Sequence, residues 1–287
     1  MGVKGVWGVK FGAVGYGGFE IAGLGLAEEP PAAGDTGVGA DPVEWAREAL
    51  GFAADEKQAV VLRSEKKRVI LNCSRQWGKS TVTAVKATHF AAHHAGSTTL
   101  VLSKSARQSR EFVRKAAEFA RRAGLRTKGG GGPDYGLVLP NRSRIVGLPS
   151  NEETIRGFSA VGLLLIDEAS RVSDELYTAV RPMLAVSNGS LWLMSTPNGK
   201  RGFFYEVWTR GEEDWERVEA RATECPRISP AFLAAEEAAM LGPVFRREYL
   251  CCFEDADTSV FGADVVRGAF SREFGGLRLE EDPLRRG

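Results

Sequence analysis

The sequence predicts an α/β fold: a mostly parallel sheet with helices on both faces. Three apolar runs, Val69-Ile70-Leu71, Val161-Gly162-Leu163-Leu164-Leu165-Ile166 and Leu191-Trp192-Leu193-Met194, are continuous rather than alternating, as strands covered on both faces must be. Amphipathic helical stretches separate them. Each run also stops at a polar motif: Asn72-Cys73-Ser74-Arg75-Gln76-Trp77-Gly78-Lys79-Ser80-Thr81, then Asp167-Glu168, then Ser195-Thr196-Pro197-Asn198-Gly199.

A chain of 287 residues with 43% hydrophobic content can bury a full core, and it suits one large domain or a domain with a small appendage. The net charge of +1 neither demands nor excludes a nucleic-acid partner, because 38 basic residues can still gather on one face. The four cysteines lack Cys-x-x-Cys spacing, and with three histidines they make no zinc site. A reducing, cytosolic setting is the default. Adjacent Cys251 and Cys252 are expected to be one buried and one semi-exposed thiol.

Residues 1–40 are glycine-dense and are read as a flexible tail. Lys10 and Glu20 interrupt the apolar segment that a signal peptide needs, and nothing approaches a membrane span. Residues 41–225 read as the globular core, and residues 226–287 as a helical segment followed by a linker or tail.

Asp41-Pro42 starts a helix, with proline at its first position. A second helix, from Asp55 to Leu62, carries Gln58, which is either a reader of the adenine edge or a solvated helix-face glutamine. Thr81 to His94 is helical, Thr98 to Ser103 is a buried strand, and Ala106 to Ala123 is a basic amphipathic helix. Its Arg107, Arg110, Arg114, Lys115, Arg121 and Arg122 form either a phosphate-backbone surface or a solvated charged face. Tyr135 to Leu139 and Ser143 to Leu148 read as a β-hairpin. Ser173-Asp174-Glu175 opens a helix running to about Ala185. Phe203 to Thr209 is helical, Trp215 to Ala222 alternates like an edge strand, and two short helices follow Cys225-Pro226.

The first motif reads as a phosphate-binding loop: strand, glycine turn, and a helix opening with Lys79-Ser80-Thr81. Backbone N–H groups and a helix N-terminus then face one anion. Lys79 would reach the β- and γ-phosphates and Ser80 would ligate Mg²⁺. The common pattern places a glycine where this chain has Cys73, so the loop alone also fits an ordinary helix N-terminus. Asp167-Glu168 decides more, because two carboxylates at the end of a buried strand are costly without a cation. A metal-bound nucleotide accounts for both, with Asp167 on Mg²⁺ and Glu168 on the attacking water.

Taken together, Ser74-Arg75-Gln76-Trp77-Gly78-Lys79-Ser80, Leu165-Ile166-Asp167-Glu168-Ala169 and Met194-Ser195-Thr196-Pro197 resemble the three ATPase motifs of the large terminase subunit of tailed bacteriophages. The resemblance covers residues 41 to about 262, including Pro226-Arg227-Ile228-Ser229-Pro230 and Arg247-Glu248-Tyr249-Leu250. It implies a P-loop NTPase of three α/β/α layers in the additional-strand class, with the Ser-Thr-Pro strand between the loop strand and the acidic strand. It implies an ATPase using ATP and Mg²⁺ to drive double-stranded DNA into a capsid. Implied partners are the portal protein, the small terminase subunit and further copies in a ring, inside the host bacterial cytoplasm.

Residue roles carry over on the same terms. Ser74, Arg75, Gln76, Gly78, Lys79, Ser80 and Thr81 hold phosphate, Ser80 and Asp167 the metal, and Glu168 the water, while Thr196 couples hydrolysis to movement. Gln58 matches the adenine-motif glutamine, although the aromatic usually before it is absent. Arg156 would stabilise the transition state, in its own or a neighbouring subunit's site; its alternative is a turn arginine paired with Glu152 or Glu153. The family continues into a nuclease, whereas this sequence stops about 25 residues after Ser259-Val260-Phe261, so nuclease activity is not expected. Two other readings stand beside the motor. One is a truncated prophage remnant that binds nucleotide without packaging; the other is a helicase-like ATPase, which would need a second motor domain.

Overall fold

The structure is a computed structural model and describes residues 41–130, 136–150, 155, 157–211 and 213–255. Helix α1 (Pro42–Leu50) begins where Asp41 accepts the Val43 N–H at 2.7 Å and ends at Gly51 in the left-handed region. Helix α2 (Glu56–Arg63) starts with a capping box between Asp55 and Gln58. Strand β1 (Arg68–Cys73), helix α3 (Lys79–His93), strand β2 (Thr98–Ser103) and helix α4 (Ala106–Arg122) follow.

The expected hairpin is present as β4 (Gly136–Val138) and β5 (Arg144–Pro149), with the two-residue β3 (Lys128–Gly129) alongside. Next come β6 (Leu163–Asp167), α5 (Asp174–Val180), β7 (Ser190–Ser195), α6 (Gly202–Arg210), β8 (Trp215–Ala220), α7 (Pro230–Ala239) and α8 (Gly242–Tyr249). Among the described residues no helix is long and apolar enough to cross a membrane.

The eight strands form one sheet in the order β3-β4-β5-β2-β6-β7-β1-β8. Every pairing from β5 to β8 is parallel, and only the β3-β4-β5 margin is antiparallel. Strand β7 lies between β1 and β6, so the additional-strand arrangement is met, and β8 is an edge strand as its alternation predicts. Two apolar clusters sandwich the sheet. Val69, Leu71, Val101 and Leu165 join residues of α1 to α4 on one face. Ile70, Leu100, Leu102, Leu164 and Ile166 join Leu176, Val180, Phe203 and Phe204 of α5 and α6 on the other. The α4 layer comes close to β5 at Gly147, where a Cβ would lie 2.8 Å from the Ser109 carbonyl oxygen. A smaller cluster of Ala222, Leu233, Phe245 and Tyr249 ties α7 and α8 together.

Two of the boundaries that differ from the sequence expectation have a local cause. The helix expected to reach Ala185 ends at Val180, and the chain goes on as a 3-10 turn over Arg181–Leu184. Pro182 supplies no N–H to an α-helical ladder, and the tighter turn takes its place. The edge strand stops at Ala220, because Ala222–Glu224 form another 3-10 turn. The glycine-rich segment 1–40 and the tail beyond residue 255 lie outside the described residues.

Candidate nucleotide-binding site

The phosphate loop connects the end of β1 to the start of α3. Gln76 (φ 61°) and Gly78 (φ 101°) are its two left-handed residues. Gly78 has a second constraint: a Cβ there would sit 3.2 Å from Gln58 Nε2. Cys73 is not left-handed. It is still strand, paired with Ala220 and fully buried, and burial pushes its thiol up to about 12. The missing glycine thus falls where the backbone needs none.

Among the described residues, the backbone N–H groups of Gln76, Trp77, Gly78, Lys79 and Ser80 have no protein acceptor. They form a continuous run over a left-handed turn and a helix N-terminus, the geometry of an anion nest. The loop is clamped from behind. The Trp77 side chain is buried in the core, and the Trp77 carbonyl accepts from Gln58 Nε2 at 3.2 Å and Arg227 Nη2 at 2.6 Å. Arg227 also donates to Asp55 at 2.9 Å. Gln58 is 3% exposed, and its amide oxygen closes the α2 capping box by accepting the Asp55 N–H. Both ends of its amide are therefore bonded to protein.

The other loop residues divide by direction. The Ser74 N–H donates to Ala220, and its buried hydroxyl has no partner among the described residues. The Arg75 N–H donates to the Glu248 carbonyl, and its exposed guanidinium lies beside the Glu248 carboxylate. The Thr81 N–H bonds the Gly78 carbonyl, completing the first turn of α3.

Across the loop, Ser80 Oγ donates to Asp167 Oδ2 at 3.1 Å. Asp167 is 7% exposed; burial raises its pKa, opposed by the Lys79 charge, the Ser80 hydrogen bond and the Glu168 N–H. Such a carboxylate favours a cation beside it. A serine hydroxyl and a carboxylate are the hard oxygen donors that Mg²⁺ takes, and the adjoining N–H run suits phosphate, so these residues fit a metal-bound nucleotide.

Glu168 is left-handed (φ 53°) and half-buried, and its carboxylate accepts from Gln108 Nε2 of α4 at 2.9 Å. The turn after it is bonded to the end of β7. Ser170 Oγ lies 2.7 Å from Ser195 Oγ and donates to the Thr196 carbonyl at 2.8 Å. The acidic motif and the Ser-Thr-Pro motif are thus directly linked, with Thr196 buried.

Of the residues named from sequence, the structure gathers Gln58, Ser74, Arg75, Gln76, Gly78, Lys79, Ser80, Thr81, Asp167, Glu168 and Thr196 at the C-terminal edge of β1, β6 and β7. Arg156 lies outside the described residues. Sequence reasoning missed what Gln108, Ser170, Arg227 and Glu248 do there. Gln108 stands three residues after the α4 cap Ser105, and Arg227 and Glu248 lie in segments that the resemblance covers; their contacts with the site join segments far apart in sequence.

Comparisons with known proteins bear on the fold and the family. The ATPase domain of the Thermus phage P74-26 large terminase superposes with a TM-score of 0.67 at 20% identity, over 75% of this chain and 100% of that one. The large terminase of a thermophilic bacteriophage, solved in complex with ADP, gives 0.61 at 16% identity, over 69% and 53%. The bacteriophage HK97 large terminase gives 0.60 at 13% identity, over 74% and 55%. At such identities these likenesses establish the fold. A probable terminase large subunit of Enterobacteria phage P7 is 29% identical over 140 residues, 48% of this chain; the match spans only 27% of that protein's length. Residues 70–264 match the family described as terminase large subunit, T4-like-virus type, N-terminal, and with the three motifs joined in one site the chain belongs to that family.

Proposed function

We propose that this chain is an ATP-hydrolysing motor domain that drives double-stranded DNA into a capsid. One observation carries the reading: the run of acceptor-free N–H groups from Gln76 to Ser80 lies next to the Ser80–Asp167 contact, with Glu168 held beside it. The thermophilic-phage large terminase of the same fold, solved with ADP and with ATP-γ-S, supports the choice of ligand.

The N–H run and Lys79 bind the phosphates, using fixed donors that cost no reorganisation during the reaction. Ser80 and Asp167 would hold the Mg²⁺ ion, which would supply charge neutralisation to the phosphates. Glu168 orients the attacking water and takes its proton. Gln108 sets the rotamer of Glu168. Gln58 and Arg227 fix the loop through the Trp77 carbonyl. Ser170 and Ser195 pass a change at the acidic motif to Thr196 and β7. Arg156 is assigned to transition-state charge, where an arginine finger is worth a rate factor of roughly 10³ to 10⁵.

On this reading residues 41–225 are the ATPase core and residues 226–287 a helical segment and linker or tail. DNA, the portal protein, the small terminase subunit and copies of this chain in a ring are the partners, in the host bacterial cytoplasm. Arg107, Arg110, Arg114, Arg121 and Arg122 stand exposed along α4, and they supply a phosphate-backbone surface. Arg114 and Arg122 are also paired with Glu111 and Glu118 on the same helix.

The test is steady-state ATPase activity, with and without DNA, for the wild type, Lys79→Ala and Glu168→Ala. Both variants should lose at least about a hundredfold in turnover, with Glu168→Ala still binding nucleotide. Turnover near wild type in Lys79→Ala would remove the assignment.

A further inference from the structure

Ser103, a buried polar residue at the edge of the site, takes no part in the chemistry above. It ends β2, and the parallel register pairs Leu102 with Ile166, which sets Ser103 beside Asp167 at the C-terminal edge of the sheet. Side-chain alternation places the two on one face. Val101 and Leu165 belong to the cluster under α3 and α4, whereas Leu102 and Ile166 belong to the opposite one. Ser103 and Asp167 therefore both point toward the N-termini of α3 and α4.

Ser103 is 1% exposed, and its hydroxyl has no hydrogen-bond partner among the described residues. Its backbone is held, since its carbonyl accepts the Ser150 N–H at 2.8 Å. Asp167 is already engaged, with Oδ2 receiving Ser80 and Oδ1 the Glu168 N–H. A buried hydroxyl without a partner is a net cost to folding. A water between Ser103 and Asp167 would offset that cost, because both groups can bond to it.

Resting on the nucleotide reading above, we propose that Ser103 is a positioning residue for the divalent cation. Its hydroxyl holds a water of the cation's hydration shell against Asp167. Mg²⁺ keeps several waters when protein-bound, so a fixed hydroxyl beside the carboxylate would orient the shell. Groups of this outer kind set metal affinity through the ligands they fix.

The test is binding, not turnover. A fluorescent ADP analogue is titrated in EDTA, and Mg²⁺ is then titrated at fixed analogue, for the wild type, Ser103→Ala, Ser103→Thr and Ser80→Ala. Ser103→Ala should raise the half-saturating Mg²⁺ concentration about tenfold, with analogue affinity in EDTA and Tm both unchanged or slightly higher. Ser103→Thr, which keeps the hydroxyl, should restore the wild-type value. An unchanged Mg²⁺ midpoint in Ser103→Ala, beside a shifted one in Ser80→Ala, overturns this inference alone. A fall of several degrees in Tm for Ser103→Ala also overturns it, because the hydroxyl then has a protein partner. Absence of any Mg²⁺-dependent binding in the wild type overturns both this inference and the nucleotide reading.

Discussion

Arg75 of the phosphate loop lies with its Nε 2.6 Å from Glu248 Oε2 of α8, and its N–H bonds the Glu248 carbonyl at 2.9 Å. The two residues stand far apart in sequence, yet they join the loop to the last described helix. Glu248 is 8% exposed and is also met by Arg247 at 3.2 Å, so its charge is shared between two guanidinium groups. A phosphate on the neighbouring N–H run would compete with Glu248 for Arg75.

Removing that arginine should loosen α8 without unfolding the domain. Arg75 is mostly exposed and Arg247 remains, so Arg75→Ala should cost less than about 1 kcal/mol of stability. Hydrogen exchange over residues 242–249 should nevertheless quicken. Unaltered protection there would mean the pair does not restrain the helix.

Gln108 should act on chemistry and not on binding. Gln108→Ala frees the Glu168 carboxylate from its side-chain donor, and kcat should fall about tenfold as the proposed base loses its orientation. The nucleotide Kd should stay within about twofold, because Gln108 touches none of the loop donors. Equal losses in both quantities would show that Gln108 supports the fold of the site instead.

Supplying the glycine of the common loop pattern should do harm. Cys73 is a fully buried strand residue with ordinary strand geometry, so Cys73→Gly opens a void and adds backbone freedom. A loss of about 1–3 kcal/mol in denaturant unfolding is expected. A stabilised or unchanged variant would mean that the position does ask for glycine.

Acid should destabilise the protein partly through His89. Its ring stacks on His93 at 4.1 Å and meets the edge of Trp45. Burial first, then the charges of His93, Lys86 and His94, push its pKa down from 6.5 to about 3, while Asp41 acts the other way. Between those two values the unfolded chain takes up a proton that the folded chain does not. Stability therefore falls as pH drops through that window, at up to about 1.4 kcal/mol per pH unit from this group. Urea midpoints from pH 7 to 4 should fall more steeply for the wild type than for His89→Gln, and parallel curves would exclude His89 as a source.

Local patterning was enough to specify the strands, their helical cover and the three motifs, while the order of the strands in the sheet came with the family resemblance. Continuous apolar runs and caps such as Asp41, Ser105 and Ser173 act within a few residues of themselves, so they can be read without the fold. The loop lysine, Ser80, Asp167 and Glu168 were legible for the same reason, as each stands at the end of a readable strand or at the start of a helix. How these groups are held emerged only from the packing. Sequence left Gln58 as either a base reader or a surface residue; the fold buries it and bonds it to the Trp77 carbonyl. Sequence counted Cys73 against the loop, and the fold shows a strand residue ahead of the turn. The bonds from Gln108, Arg227, Glu248 and Ser170 span gaps that no periodicity encodes. They exist because the parallel register brings the ends of β1, β2, β6 and β7 to one edge, where unpaired backbone donors and buried carboxylates require partners from whichever segment packs nearest.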